Sequence, residues 1–269
     1  MKSNNNIVIL IQARTNSSRF PKKILMPLAG KSLLERMVER VLCAKEIGNV
    51  VVVTTTDIAD NIIENICIEN KFKVYRGHSS DLLDRHFKAA LEYDAEAVVK
   101  IPSDCPLIDP NVITKVIKFY LDNSDKYDYV SNLHPATYPD GNDVEIMSMT
   151  ALKIAWENAS RDFEREHTTP YIWENPDKFR IGNVEWETGQ NYSMTHRFTI
   201  DYTEDYLFIK AVYDELYESN SNFSLIDILN LLERKPEIKK LNDKFIGVNW
   251  YRNHLKELNT VSENQTKLI

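Results

Sequence analysis

The chain has 269 residues, with 33 basic and 40 acidic side chains. Its formal charge of −7 argues against a general nucleic-acid coat or an anionic-membrane binder and leaves small anions in a pocket as the expected partners. Hydrophobic content of 43% and charged content of 27% are ordinary for a folded globular protein, and the length allows one large domain or two small ones.

The chain opens with the polar MKSNNN, and the apolar run that follows is too short for a signal-peptide core or a membrane span, so a cytoplasmic protein is expected. That run, 7–12, predicts a buried first strand. It leads into ARTNSSRFPKKILMPLAGK, where Arg14, Arg19, Lys22 and Lys23 stand beside Asn16, Ser17 and Ser18. These are phosphate-binding donors at the C-terminal end of a strand, where doubly wound sheets bind ligands. A basic loop is more often plain solvated surface. Here the positive charge is concentrated in an acidic chain directly after a buried-type strand, and Pro21 stiffens the loop, so a triphosphate site is the better reading.

A helix over 32–45 starts with a capping box in which Ser32 caps and Glu35 reaches back, which assigns both residues to structure. Strands at 50–55, 73–75, 97–101 and 127–131 alternate with helices at 58–70, 81–93 and 111–122. That alternation predicts an α/β, Rossmann-like, mainly parallel sheet with helices on both faces. Asp109 is expected to cap the last of these helices, with Pro110 in its first turn. Three cysteines, an odd number without metal-ligand spacing, fit a reducing compartment, and Cys43 and Cys67 read as small core residues of helices.

From 132 to 195 the pattern is broken by prolines, glycines and aromatics, which reads as an inserted acceptor and dimerisation lobe. A strand over 196–201 is expected to rejoin the sheet before helices at 203–217 and 225–234. Residues 1–258 then form a single domain and 259–269 a flexible tail.

Two aspartates stand past strand ends, Asp104 in PSDCPLIDP and Asp201 closing HRFTID. Singly, Asp104 is a turn residue and Asp201 a helix cap. Facing four cations, the pair instead suits a Mg²⁺-bound triphosphate, because magnesium takes a few carboxylates plus phosphate oxygens and water.

The loop Arg14-Thr-Asn-Ser-Ser-Arg19-Phe-Pro21-Lys-Lys23, with TTTD at 54–57, YRG at 75–77, LLDRH at 82–86, SDCPLIDP at 103–110, YPDGNDVE at 138–145, EREHTTPY at 164–171 and RFTIDYTEDY at 197–206, resembles the sugar cytidylyltransferases. The likeness is to the SpsF-like spore-coat polysaccharide branch and, more distantly, to the synthetases of CMP-Kdo and CMP-sialic acid. It covers about the first 210 residues. It implies a nucleotide-diphospho-sugar transferase (GT-A-like) fold and attack of an acceptor oxygen on the α-phosphate of CTP, releasing pyrophosphate. On that reading Arg14, Arg19 and Lys23 bind the triphosphate, with Asp104 and Asp201 as magnesium ligands. Gln12, Ala13, Ser18, Thr55 and Ser103 complete the nucleotide site, and Arg76, Gly77, Asp84 and Arg85 lie where the family contacts cytosine and ribose. Arg85 reads equally well as a helix-surface partner of Asp81. Tyr138, Asp140, Asp143, Glu145, Arg165, Glu166 and His167 would meet a sugar-like acceptor. Two departures stand out: Lys22 occupies a position where the family usually has glycine, and Pro102-Ser103-Asp104 replaces a glutamine-containing strand end.

The leading expectation is thus a cytidylyltransferase acting as a homodimer in surface polysaccharide synthesis. A metal-dependent glycosyltransferase using a nucleotide-sugar donor and a non-catalytic nucleotide-binding protein are the alternatives.

Overall fold

A computed structural model describes residues 6–44 and 48–269. The polar start at 1–5 and Lys45, at the end of the first expected helix, lie outside the described residues. The first half runs β1 (Ile7–Gln12), a small hairpin of β2 (Pro27–Leu28) and β3 (Lys31–Ser32), α1 (Leu33–Leu42), β4 (Asn49–Thr55), α2 (Asn61–Glu69), β5 (Lys73–Gly77), α3 (Leu82–Glu92), β6 (Ala97–Pro102) and α4 (Pro110–Asp122). The second half runs β7 (Tyr129–Ser131), β8 (Glu145–Ser148), α5 (Met149–Asn158), α6 (Asp162–His167), α7 (Pro170–Trp173), β9 (Ile181–Asn183), α8 (Thr203–Leu216), α9 (Leu225–Arg234) and α10 (Pro236–Lys239).

Seven strands make one sheet in the order β5-β4-β1-β6-β8-β7-β9. The first four are mutually parallel, β8 is antiparallel to both neighbours, and β9 is parallel to β7. Strand β1 is apolar almost throughout because it is buried on both faces. Ile7, Ile9 and Ile11 pack with Leu33, Leu34 and Met37 of α1, while Val8 and Leu10 pack with Leu83 and Phe87 of α3. The caps expected from sequence form. Ser32 and Glu35 make the reciprocal box on α1. Asp109 accepts from the Asn111 N–H at 2.7 Å and, with its other oxygen, from the Leu225 N–H at 2.6 Å, which ties α4 to α9.

The chain moves from β1 to β4 on one side and then to β6 on the other, so the strand order reverses between β1 and β6. A crevice opens past their carboxyl ends, where Gln12 pairs in register with Pro102. The loop at 13–26 and Asp104 are both delivered there.

Four expectations are corrected. The stretch 132–195 is not a separate lobe throughout, because β8 and β9 belong to the main sheet and β8 sits between β6 and β7. Residues 196–201 form no strand. They make one isolated bridge, Asp140 to Arg197, and run extended with Phe198 N–H on the Asp140 carbonyl and Ile200 N–H on the Asp104 carbonyl. The tail at 259–269 packs back: Val261 and Thr266 are buried, and the Lys267 N–H donates to the Gly247 carbonyl at 2.7 Å. Cys67 is buried, its thiol pushed up to about 12 by burial, but Cys43 caps the end of α1 and is exposed. No helix among the described residues is long and apolar enough to cross a membrane.

Candidate active site

The loop after β1 is shaped by Asp60, a residue the sequence did not single out. The Thr15 N–H and hydroxyl both donate to Asp60 Oδ1, at 2.8 and 2.7 Å, and the Thr55 hydroxyl donates to Oδ2. The Lys22 N–H closes the loop on the Thr15 carbonyl at 2.8 Å. Lys22 itself sits at φ 59°, in the left-handed region that favours glycine, and its side chain is exposed. Unlike Arg14, Arg19 and Lys23, it does not line the crevice.

Lys23 points inward and is 8% exposed. Its ammonium donates to the Ile200 carbonyl at 2.7 Å, to Asp201 Oδ1 at 3.0 Å and to Asp104 Oδ2 at 3.3 Å. Burial alone would lower this lysine, but Asp104 and Asp201 outweigh it and hold the ammonium above its ordinary value. Arg19 meets the same Asp201 oxygen at 2.8 Å. Burial works against the Asp201 carboxylate, yet Lys23 and Arg19 bring it down to about 2. Arg14 is about half-exposed and stands 3.9 Å from Glu166.

Arg197 organises the floor. Its buried guanidinium reaches Asp205 at 2.9 Å, Asp140 at 3.2 Å, Asp201 at 3.3 Å and the Val248 carbonyl at 2.6 Å. Despite that cation, burial and the neighbouring Asp143, Asp201 and Asp104 push Asp140 well above the usual carboxylate range. Burial and then Asp104 push Asp143 up to about 7. Four aspartates thus repel one another around one space, which is the electrostatic setting that a divalent cation relieves. Among the described residues no group of three or more His, Cys, Asp or Glu side chains is placed to hold an ion alone. Asp104 and Asp201, which share the Lys23 ammonium, are the carboxylates that could hold a metal completing its shell with water and phosphate oxygens.

A cavity of about 830 Å³ joins these groups. Of the residues expected from sequence, Gln12, Ala13, Arg14, Ser18, Arg19, Lys23, Arg85, Ser103, Asp104, Tyr138, Asp140, Asp143, Glu145, Glu166, His167 and Asp201 line it. Thr55, Arg76, Gly77, Asp84 and Arg165 do not. The Thr55 hydroxyl is spent on Asp60, and Arg76 binds Glu64 at 2.7 Å on the outer edge of the sheet. Gly77 packs against Tyr75 and Arg85. Asp84 accepts from Trp156 Nε1 at 2.9 Å and pairs with Lys88, while Arg165 binds Asp81 at 2.5 Å. The helix-surface reading of Arg85 is also set aside. Its guanidinium donates to the His78 and Ser79 carbonyls, and burial and Arg14 bring it down to about 10.

Glu145 is a buried wall residue, paired with Lys100 directly across the strands at 2.6 Å and accepting from the Tyr129 hydroxyl at 2.6 Å. His167 lies face to face with Trp250 at 3.9 Å between ring centres, and burial brings its imidazole down to about 3. The far wall was missed from sequence. It comes from the C-terminal segment, where Asn249, Trp250, Tyr251, His254, Asn264 and Gln265 face the cavity. The aromatic pair Trp250-Tyr251 in an otherwise polar stretch was the signal available.

A profile of the family described as Cytidylyltransferase matches residues 8–240. An uncharacterised protein of Methanocaldococcus jannaschii is 34% identical over 241 residues, covering 88% of this chain and 94% of its own. The spore coat polysaccharide biosynthesis protein SpsF of Bacillus subtilis is 32% identical over 238 residues, covering 87% and 96%. Among solved structures, a cytidylyltransferase from Leptospira borgpetersenii superposes with a TM-score of 0.83 at 33% identity, covering 87% of this chain and 97% of that one. A CMP-2-keto-3-deoxy-manno-octonic acid synthetase complexed with CTP shares the fold, with a TM-score of 0.59 at 15% identity over 78% of this chain and 99% of its own.

Proposed function

The chain belongs to the cytidylyltransferase family and is a nucleotidyltransferase, and from that premise we propose that it joins CTP to a sugar or sugar-like acceptor, forming a CMP-linked product for surface polysaccharide or glycoconjugate synthesis. The observation that supports this most is the meeting of Arg14, Arg19 and Lys23 with Asp104 and Asp201 on one cavity. A cationic loop of that density exceeds what a nucleoside diphosphate donor needs, which argues for a triphosphate over a glycosyl donor. Intact cations and carboxylates argue against a binding protein without chemistry.

In this reading an acceptor oxygen attacks the α-phosphorus. The new O–P bond forms as the bond from that phosphorus to the bridging oxygen breaks, the electron pair leaves with pyrophosphate, and the proton of a hydroxyl acceptor passes to solvent. Arg14, Arg19 and Lys23 neutralise the β- and γ-phosphates and the charge that grows on the leaving group, which is the main protein contribution to phosphoryl transfer. Magnesium held by Asp104 and Asp201 would supply Lewis-acid neutralisation of the phosphate oxygens. Gln12, Ala13, Ser18 and Ser103 border the nucleotide along the strand ends, with Arg85 nearby. Tyr138, Asp140, Asp143, Glu145, Glu166 and His167 border the acceptor, with Trp250 as an apolar platform behind His167.

The part of the Bacillus relative in spore coat polysaccharide biosynthesis supports the pathway class. CTP in the distant fold relative supports the nucleotide. The same reading makes this a cytoplasmic enzyme and a homodimer, for which light scattering at twice the 31.3 kDa chain mass is the expected result. Pyrophosphate release from CTP and Mg²⁺, screened across neutral sugars, amino sugars and sugar acids, tests the activity. UDP-glucose turnover with no pyrophosphate from any acceptor would contradict it.

A further inference from the structure

We propose that Lys23 occupies the divalent-cation position while the nucleotide is absent, so that the metal enters this site with the triphosphate and not before it. The inference rests on the nucleotidyl-transfer reading of the cavity. An ammonium has three hydrogens and no acceptor, and that of Lys23 donates to the Asp104 carboxylate, the Asp201 carboxylate and the Ile200 carbonyl, at 3.3, 3.0 and 2.7 Å. Two of these three are the carboxylates proposed to hold magnesium. The nitrogen therefore engages both of the carboxylates that would hold the ion.

The lysine is also built to leave. Its backbone lies at the start of a single 3₁₀ turn, and the preceding residues Asn16, Ser18, Arg19, Pro21 and Lys22 are exposed. Its backbone bonds are local to the loop: the Ser17 and Lys22 N–H groups donate to the Thr15 carbonyl, Lys23 N–H to the Phe20 carbonyl, and the Leu25 and Met26 N–H groups to the Lys22 and Lys23 carbonyls. The anchor on Asp60 lies one strand end away, at Thr15. A triphosphate arriving over Arg14 and Arg19 offers Lys23 several anionic oxygens in place of two carboxylates. Withdrawal of the ammonium toward those oxygens uncovers Asp104 and Asp201 for the cation that travels with the nucleotide. Binding of nucleotide and of metal is coupled in both directions through one side chain.

The test uses manganese alone, followed by electron paramagnetic resonance of the free ion, on wild type, Lys23→Gln and Lys23→Met. Melting curves establish that the variants fold, and Lys23→Met keeps an unbranched apolar stem where Lys23→Gln keeps an N–H donor. The expected result is weak nucleotide-free binding by wild type and a gain of about tenfold in either variant, the penalty lifted when a binding-competent state populated about a tenth of the time becomes the main one. The gain is expected to vanish when Asp104→Asn is added. Unchanged or weaker binding in the variants would overturn the proposal and make Lys23 a residue that only orients the aspartates. Wild-type crystals soaked in manganese give an independent reading. Anomalous density between Asp104 and Asp201 without nucleotide, with Lys23 unmoved, would also overturn it. A parallel CTP titration separates the two levels: loss of CTP binding in wild type would refute the proposed function while leaving the manganese result to stand or fall by itself.

Discussion

Asp201 receives Lys23 and Arg19 on one oxygen and Arg197 on the other, at 3.0, 2.8 and 3.3 Å, with its side chain only 12% exposed. Asp104 touches Lys23 alone among these cations and is 30% exposed. Their asparagine variants should therefore separate. Asp104→Asn is expected to lower turnover about a hundredfold or more with little change in the urea midpoint. Asp201→Asn is expected to lower turnover as much and also to cost about 1–3 kcal/mol, because buried cations lose their partner. Turnover retained in Asp104→Asn would contradict the assignment. Lys22→Gly, at an exposed left-handed position, should leave CTP affinity within about a factor of two. Part of this scale was legible beforehand: Arg14, Arg19, Lys23 and Asp104 follow from charge concentration and the ends of β1 and β6, whereas Asp201 was reached through a strand that does not form. Asp84 and Arg165 were not legible, because spacing along a helix does not say which neighbour a side chain finds, and Trp156 and Asp81 claim them. Arg197 was hidden inside a motif whose aspartate drew the attention.

The parallel strands and their crossover helices could be read from apolar runs, capping signals and alternation. Strand β8 could not, because four residues show no period and the flanking prolines and glycines suggest a break. Its place in the sheet is fixed in part by Glu145 facing Lys100 in register. The reverse error occurred at 196–201, whose alternating pattern reads as a strand. Those backbone groups go instead to Asp140 and Asp104, which draws Asp201 into the crevice. The Lys100–Glu145 pair gives this element a test. Lys100→Met alone should cost about 3–5 kcal/mol by stranding a buried carboxylate, and adding Glu145→Gln should recover more than half of that. Additive losses in urea unfolding would show that the two do not stabilise β8 as a pair.

At the scale of the whole molecule, the cavity at the sheet's carboxyl edge is walled on one side by the segment 247–265, beyond the span matched by the family profile. Their contribution was illegible because contacts made across the fold, such as Arg197 to the Val248 carbonyl, leave no periodic trace in the chain. Folding also leaves His86 fully buried on α3, its Nδ1 2.9 Å from the Leu82 carbonyl and its Nε2 without a partner among the described residues. Burial lowers this imidazole from 6.5 to about 3, so the unfolded chain takes up the proton first as pH falls. The stability that neutral His86 contributes is full above 6.5 and is lost as pH falls toward 3. Wild type should lose stability relative to His86→Gln as pH falls from 6.5 to about 3, at up to about 1.4 kcal/mol per pH unit. Parallel pH profiles of the two would contradict it.

The cavity's central assignment is a metal-dependent CTP site. Calorimetric titration of CTP, UTP, ATP, GTP and UDP-glucose into the wild-type protein, with and without Mg²⁺, tests it most directly. Binding is expected to prefer CTP, to require the metal and to be weakened in Asp104→Asn. Preference for UDP-glucose, or CTP binding indifferent to both the metal and Asp104, would contradict it.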